Sequence, residues 1–385
     1  LYRLVGSEMC IRDRYIKELA KTFKSNFGEL DKKIDFGSLD DDKDIRLDEI
    51  SKYFKSEFSE AWKKAKKFAV SEILNLIKTD LHNFNIIHDL WFSESSLGAV
   101  EDVASDLSKS LKTIKNQGYT YSKDGAEWFK TTEFGDDKDR VLLRENKEPT
   151  YYLTDVGYHK NKIDRNFDSY INIFGADHHG YIPRLTAAFD VMKKEHQNIE
   201  FLLYQLVNLY EEGVKKTMST RRGEYFSLND LREDLGPDVI KFFFLEKKSD
   251  HPMDFDIDLA KDEGKNNPYF YAQYAYVRCC SILAKSSFDP SVEIDLNEIE
   301  NCYEITSKAI NYPLILQEYA LERSPHSLVH FIKDFSATFH SFYEQSSVLS
   351  ENKVTSNSRL LITSITKLIL KNSFKILNVK PLEKM

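Results

Sequence analysis

The sequence predicts an α/β domain with a parallel sheet, followed by an all-helical domain. Two apolar runs, residues 170–174 and 199–207, flank a helical pattern that begins near Pro183, which is the spacing of a βαβ unit. From Asn267 onward the pattern is helical throughout, as in a helix bundle. The 385 residues exceed one ordinary core, so two or three domains are expected.

The N-terminal segment LYRLVGSEMCIRDR resembles a translated sequencing adapter. We therefore interpret residues 1–14 as non-native and Tyr15 as the start of the protein, with a short native arm as the alternative. From Tyr15 to about Phe84 the apolar spacing predicts helices. A second amphipathic helix with a terminal glycine is predicted from Val103, Leu107, Leu111, Ile114 and Gly118. Residues 119–149 indicate loops and short strands.

The charge and the cysteine content exclude several classes of protein. With 54 basic and 62 acidic residues the net charge is −8, so a nucleic-acid surface would have to be local. Residues 351–385 carry seven Lys or Arg against two Glu, which makes that end basic. The four cysteines include no CxxC pair, so neither a zinc ribbon nor a disulfide scaffold fits. No apolar run reaches the length of a membrane span, and a reducing, cytoplasmic location is expected.

Three loops carry chemistry-bearing residues. GADHHGYIPR, residues 175–184, directly follows an apolar strand, where ligands of open α/β sheets bind, although a polar loop is the alternative. In KKTMSTRRGEYFSL, residues 215–228, hydroxyls and arginines could gather around phosphates, or form a solvated basic turn. In TYYLTDVGYHKNK, residues 150–162, the acidic residue Asp155 lies among tyrosines and could pair with a guanidinium, or cap a helix.

Two further patterns lie in the helical region. NPYFYAQYAYVRCCSI, residues 267–282, is rich in aromatic residues, which are core residues more often than they are stacking platforms for nucleotides. Lys367, Lys371 and Lys375 share one helix face, which is either solvated or part of a basic surface.

Taken in order, these motifs resemble arginyl-tRNA synthetases, which are class I aminoacyl-tRNA synthetases. The similarity rests on Tyr151 with Asp155, then GADHHGYIPR, QLVN, TMSTRRGE, DFDIDLA, NPYFYAQYA and the terminal ILNVKPLEKM, and it covers residues 127–385 well. The resemblance implies an incomplete Rossmann-like catalytic domain over residues 15–266, with a helical insertion. It also implies an all-helical anticodon-binding domain over residues 267–385.

The resemblance also implies roles for individual residues. Tyr151, Asp155 and Gln205 would bind the arginine side chain, and Gly175, Asp177 and His178 would bind the nucleotide. The catalytic loop, which assists the departure of pyrophosphate, would comprise Met218, Ser219, Thr220 and Arg221. Gln273, Tyr274 and Met385 would contact tRNA. The implied ligands are L-arginine, arginine tRNA and ATP with Mg²⁺, without zinc, on a protein expected to be a monomer.

Two departures from the family pattern matter. The KMSKS-type loop has Thr217 and Thr220 where lysines are usual, and Arg221 and Arg222 could supply the charge. The HIGH-type motif does not occur in the chain, so the chain as given is expected to be inactive in arginine charging. The alternatives are a non-catalytic tRNA-binding module and a cysteine synthetase. Residues 15–266 contain no cysteine to bind zinc, which argues against the latter.

Overall fold

The computed structural model describes residues 11–28, 43–216 and 227–385. Its α-helices are α1 (Ile11–Phe27), α2 (Lys43–Glu57), α3 (Ser59–Asn83), α4 (Asp106–Asn116), α5 (Tyr151–Asp164), α6 (Ile182–Met192), α7 (Leu228–Leu235), α8 (Pro237–Phe244), α9 (Ile257–Lys261), α10 (Pro268–Lys285), α11 (Leu296–Asn301), α12 (Tyr303–Leu321), α13 (Pro325–Gln345) and α14 (Lys353–Ile376). Its strands are β1 (Thr120–Lys123), β2 (Ala126–Phe129), β3 (Arg140–Leu143), β4 (Ser169–Gly175), β5 (Asn198–Tyr204), β6 (Val207–Glu211), β7 (Val214–Lys215) and β8 (Met253–Asp256).

The chain forms two compact units. The sheet unit comprises His88–Asn208 and Lys247–Phe255, and the helical unit comprises the described parts of Leu1–Ile87, Leu209–Glu246 and Asp256–Met385. No helix within the described ranges is both long and apolar enough to cross a membrane.

The sheet unit contains the predicted βαβ arrangement. Strands β4 and β5 pair in parallel from Ser169 with Asn198 to Gly175 with Tyr204, and α6 connects them. An antiparallel sheet of order β1-β2-β3 precedes them, in the segment predicted to hold short strands. The core of this unit is formed by α4, α5, α6 and the antiparallel sheet, through Leu107, Leu111, Ile114, Phe129, Leu142, Leu153, Val156, Ala187 and Ala188.

Two predicted elements differ in extent from the structure. Helix α4 begins at Asp106 with Ser105 as its cap, because the Ser105 hydroxyl accepts the Ser108 amide at 3.0 Å. Val103 therefore precedes the helix and is 75% exposed, so its predicted place on the apolar face is wrong. The apolar run 199–207 is divided between β5 and β6, because the chain leaves the parallel sheet after Tyr204.

The start of α5 is fixed by the antiparallel sheet. Thr150 caps the helix by accepting the Leu153 amide at 3.3 Å, and its hydroxyl donates to the Val141 carbonyl of β3 at 2.7 Å. Strand β3 begins at Arg140, which forms a two-pronged ion pair with the buried Asp136, each N–O distance being 2.7 Å. Thr150 therefore ties the start of α5 to β3, the strand whose first residue belongs to this buried ion pair.

The helical unit matches the prediction for residues 267–385, where helices α10 to α14 follow one another. Its core is dominated by aromatic and branched side chains of α10, α13 and α14, including Tyr276, Ile332, Phe335, Phe339, Leu370 and Phe374. Ser227 and Asp230 form a capping box at α7, and Gly236, with φ 78°, ends that helix.

Candidate functional site

The predicted nucleotide loop lies at the carboxyl edge of the parallel strands. Gly175 ends β4 opposite Tyr204 of β5, and a 3-10 helix, Ala176–Tyr181, follows directly. Gln205 leaves β5 at the same edge, where its amide donates to the Ser249 carbonyl at 2.9 Å. Three predicted site residues, Gly175, Asp177 and Gln205, therefore meet where ligands of such sheets bind.

The side chains of this loop are open to a ligand. Asp177 and His178 are exposed, with His178 Nε2 3.9 Å from an Asp177 carboxylate oxygen, and the His178 ring stacks on Phe174 with centroids 5.7 Å apart. A β-carbon at Gly175 would approach an Asp177 carboxylate oxygen to 2.6 Å, so glycine is needed for this pose of Asp177. Carboxylate and imidazole groups in such a position can bond a ribose or a base.

Helix α5 and the segment before α4 enclose a cavity of about 360 Å³. Its lining combines aromatic rings with two carboxylates: His88, Trp91, Phe92, Glu94, Tyr151, Asp155 and Tyr158. Phe92 and Tyr158 are stacked with centroids 4.6 Å apart. Tyr151 is 79% exposed at the first turn of α5, and Asp155 follows one turn later. Aromatic faces beside carboxylates suit a planar cation such as guanidinium.

Asp155 is the central acidic group of this cavity. It is half-buried on α5, and its carboxylate makes no hydrogen bond within the described structure. Burial, and then the charge of Glu94, raise its pKa, while Lys162, Arg184 and His178 oppose that rise. A half-buried carboxylate without a partner is characteristic of a ligand site, because a purely structural one would be paired. The alternative in which Asp155 caps a helix is wrong, because Thr150 is the N-cap of α5 and Asp155 lies inside the helix.

A buried polar chain runs beneath Asp155. The Lys162 ammonium donates to the Asn172 amide oxygen at 2.7 Å, and the Asn172 amide nitrogen lies 2.9 Å from His159 Nε2. His159 Nδ1 lies 2.8 Å from the Asp155 carbonyl. These contacts are all satisfied when neutral His159 carries its proton on Nδ1. The chain therefore joins β4 to the turn of α5 that carries Asp155.

We expect this chain to make the sheet unit sensitive to acid. Burial, and then the charge of Lys162, lower the pKa of His159 from 6.5 to about 4. The unfolded chain therefore binds a proton between pH 6.5 and 4 that the folded chain excludes, so stability is retained above pH 6.5 and lost as pH falls. From pH 7 to pH 5 the contribution amounts to about 2 kcal/mol. Urea unfolding followed by near-ultraviolet circular dichroism measures this loss.

The His159→Gln variant provides the control for this acid sensitivity. Because glutamine does not titrate, the stability of the variant should lack the part of the pH dependence that is due to His159. The variant should also be less stable than wild type at pH 7. Equal slopes for both proteins would show that other groups, such as paired carboxylates, account for the acid sensitivity.

The predicted tRNA-binding residues fall into two kinds. Tyr274 and Met385 are 39% and 50% exposed and remain available to a partner. Gln273 is fully buried, its amide nitrogen donating to the Lys380 carbonyl and its oxygen accepting the Leu382 amide, both at 2.9 Å. Both ends of the Gln273 side chain are thus occupied within the protein, where they bond the C-terminal segment to α10. A contact of Gln273 with tRNA stays a prediction.

The loop residues Met218, Ser219, Thr220 and Arg221 lie outside the described residues. Glu94 was not predicted, although an acidic residue two positions after the aromatic pair Trp91–Phe92 was a usable signal. Within the described ranges, no group of three or more His, Cys, Asp or Glu side chains is arranged to hold a metal ion.

Family models account for nearly the whole chain. Residues 14–251 match the model of the catalytic domain of class I tRNA synthetases (R), and residues 272–385 match the DALR anticodon binding domain. The arginine–tRNA ligase of Vesicomyosocius okutanii subsp. Calyptogena okutanii is 41% identical over 88% of this chain, and that of Bacillus subtilis is 38% identical over 83%. These matches cover 59% and 58% of the two relatives, so the chain spans about three fifths of their length.

Solved structures show the same fold. A chain from Campylobacter jejuni superposes with a TM-score of 0.75 at 27% identity, over 96% of this chain and 81% of that one. The Thermus thermophilus arginyl-tRNA synthetase gives a TM-score of 0.70 at 16% identity, over 97% of this chain and 74% of that one. With the catalytic-domain model covering more than half of its residues, the chain belongs to the family of class I arginyl-tRNA synthetases.

Proposed function

We propose that this chain is part of an arginine–tRNA ligase, an enzyme that uses ATP to activate arginine and attaches it to arginine tRNA. The observation that carries the proposal is the unpaired, half-buried Asp155 in an aromatic cavity of about 360 Å³. The Asp155 carboxylate would pair with the guanidinium in bidentate fashion, and Tyr151 would contact its planar face. The family supports the same substrate.

The remaining binding steps follow from the edge of the parallel sheet. Asp177 and His178 would bind the nucleoside of ATP beside Gly175, and Gln205 would contact arginine at the same edge. The arginine carboxylate would then attack the α-phosphorus and release pyrophosphate, while Met218, Ser219, Thr220 and Arg221 stabilise the phosphates. The 2′-hydroxyl of the terminal adenosine of tRNA would then attack the carbonyl carbon of the arginyl-adenylate, form the ester and release AMP. Mg²⁺ would arrive with ATP, bound largely by its phosphates.

The helical unit would bind the anticodon, with Tyr274 and Met385 as exposed contacts and Gln273 as a positioning residue. We infer a cytoplasmic, monomeric protein, because the family acts in translation and needs no membrane. We propose full arginine-charging activity only for a protein that also carries a HIGH-type segment. The chain as given should bind arginine and tRNA but should not attach arginine to tRNA at a measurable rate.

The test measures binding of the chain to arginine tRNA and to a noncognate tRNA at one fixed salt concentration, because phosphate contacts depend on salt. Preference for arginine tRNA supports the anticodon function of the helical unit. Equal affinity for both tRNAs would argue against it. Rapid arginine charging by the chain alone would contradict the expected inactivity, and would show that the described parts and the loop 217–226 suffice for catalysis.

A further inference from the structure

A second cavity, of about 470 Å³, lies within the helical unit. It is lined by the end of α14 and the segment that follows it, by the first half of α8, and by the end of α3 with the chain just after it. Its charged lining residues are Asp238, Lys241, Lys371, Lys375 and Lys380. Four lysines against one aspartate give a local charge of +3 on a chain whose net charge is −8.

The lysines of this cavity differ in what they contact. Lys241 is committed, because its ammonium pairs with Asp238 at 2.8 Å and also donates to the Asn378 carbonyl. Lys371, Lys375 and Lys380 are exposed, and within the described residues none of them has a hydrogen bond or ion pair through its side chain. Three ammonium groups without an acidic partner thus surround one cavity. Their positive charges repel one another, and a bound anion would offset that repulsion.

The framework that carries these lysines is fixed. Asn378 and Asn85 both have left-handed backbone conformations, with φ 56°, and the Asn378 amide donates to the Asn85 carbonyl at 2.8 Å. Gln273 holds the Lys380 carbonyl at 2.9 Å, so the third lysine does not lie on a loose end. The Val379 amide bonds the Phe374 carbonyl at 2.9 Å, which satisfies one of the last carbonyls of α14.

We propose that this cavity, which we name the lysine cavity, binds phosphate groups of an RNA backbone. Lys371 and Lys375 are one helical turn apart, an advance of roughly 6 Å along α14, so together with Lys380 they present separated positive charges rather than one chelating centre. Such an array gains most from a ligand that carries several linked phosphates, since single exposed lysine–phosphate contacts are weak. The choice of RNA as the ligand rests on the proposed function. The lysine cavity would contact only the phosphates of the RNA, in addition to the residues that contact the anticodon.

The test compares two variants of the full chain that carry the same change in charge. The first replaces Lys371, Lys375 and Lys380 with glutamine. The matched control replaces three exposed lysines of the sheet unit, Lys109, Lys112 and Lys123, with glutamine. Thermal unfolding confirms that both variants are folded, which is expected because all six side chains are exposed. Fluorescence anisotropy then gives Kd for labelled arginine tRNA and noncognate tRNA between about 50 and about 200 mM KCl, a range over which affinities that depend on phosphate contacts change strongly.

We expect the lysine-cavity variant to bind both tRNAs at least about tenfold more weakly at low salt. The slope of log Kd against log salt should fall by about 2 to 3, roughly one unit for each phosphate that is no longer neutralised. The preference for arginine tRNA should remain, because interactions with the RNA backbone carry no sequence information. The control variant should bind with nearly the affinity of wild type and keep its slope.

The other outcomes show whether the lysine cavity, the choice of ligand or the proposed function is wrong. If the wild-type chain prefers arginine tRNA and the lysine-cavity variant binds it equally well, the lysine cavity is not an RNA-binding surface, while the proposed function stands. Inorganic phosphate is titrated into the same three proteins. If wild type and the control variant bind it and the lysine-cavity variant does not, while all three bind tRNA equally well, the ligand is a free anion and the RNA proposal is overturned. If the wild-type chain shows no affinity for either tRNA, both the proposed function and the RNA-binding role of the cavity fail.

Discussion

An Asp155→Asn variant should bind arginine at least about a hundredfold more weakly than the wild-type chain at a pH of about 7.5, a loss of about 3 kcal/mol. The change keeps the size of the side chain but removes the charge that opposes the guanidinium. Asp155 makes no side-chain hydrogen bond in the described structure, so its replacement leaves no protein partner unsatisfied and the fold should be retained. Isothermal titration calorimetry with L-arginine measures the effect.

Glu94→Gln is the matched control for this prediction, because it removes a second carboxylate from the same cavity. Glu94 is exposed, so water screens its charge, and we expect a loss of about tenfold or less. Citrulline, which has a neutral urea group in place of the guanidinium, should bind wild type and Asp155→Asn about equally. A similar loss of citrulline binding would show that the substitution distorted the cavity.

The pH dependence of arginine binding gives an independent check on the role of Asp155. Its raised pKa, due first to burial and then to Glu94, means that this carboxyl takes up a proton at a higher pH than an ordinary aspartate. Arginine binding should therefore weaken as pH falls through that raised pKa. In Glu94→Gln the repelling charge is absent, so the fall should move to lower pH. An unchanged profile would indicate that another group binds the guanidinium.

The sequence predicted those parts of the fold that depend on local pattern. The parallel pair of β4 and β5 was predicted from two apolar runs, because a strand buried on both faces needs continuous apolar residues. The helical region from residue 267 onward was predicted from its continuous helical pattern, and helices α10 to α14 occupy it. The start of α4 was placed too early, since Val103 has the helical spacing but lies before the Ser105 cap.

The site was less predictable, because its geometry depends on residues distant in the chain. Glu94 and Asp155 line one cavity although 61 residues separate them, and no local pattern links the two. Resemblance to a family indicated Gln273 as a tRNA-binding residue, but no local pattern shows which groups its buried side chain contacts in the fold. The structure commits both ends of Gln273 to the C-terminal segment, 107 and 109 residues away along the chain.

An Arg140→Met variant should destabilise the sheet unit by about 3–5 kcal/mol, because it leaves the carboxylate of Asp136 buried without its cation. The Asp136 side chain is only 2% exposed. Burial by itself raises its pKa, but hydrogen bonds from Arg140 and neighbouring groups hold the pKa well below its usual value. The pair therefore stabilises the folded state above the ordinary aspartate pKa of 3.8, and that contribution is lost as pH falls further. Urea unfolding at a pH of about 7.5, where the carboxylate is charged, measures the loss.

Two companion variants separate the buried ion pair from the surface charge beside it. Asp137 also pairs with Arg140, but its side chain is 72% exposed, so Asp137→Asn should change stability by about 1 kcal/mol or less. Adding Asp136→Asn to Arg140→Met should recover part of the lost stability, because the buried group is then neutral. If Arg140→Met alone is as stable as wild type, the pair does not anchor β3. The position of Asp155 would then depend on the Thr150 cap and on the packing of α5, rather than on the ion pair at the start of β3.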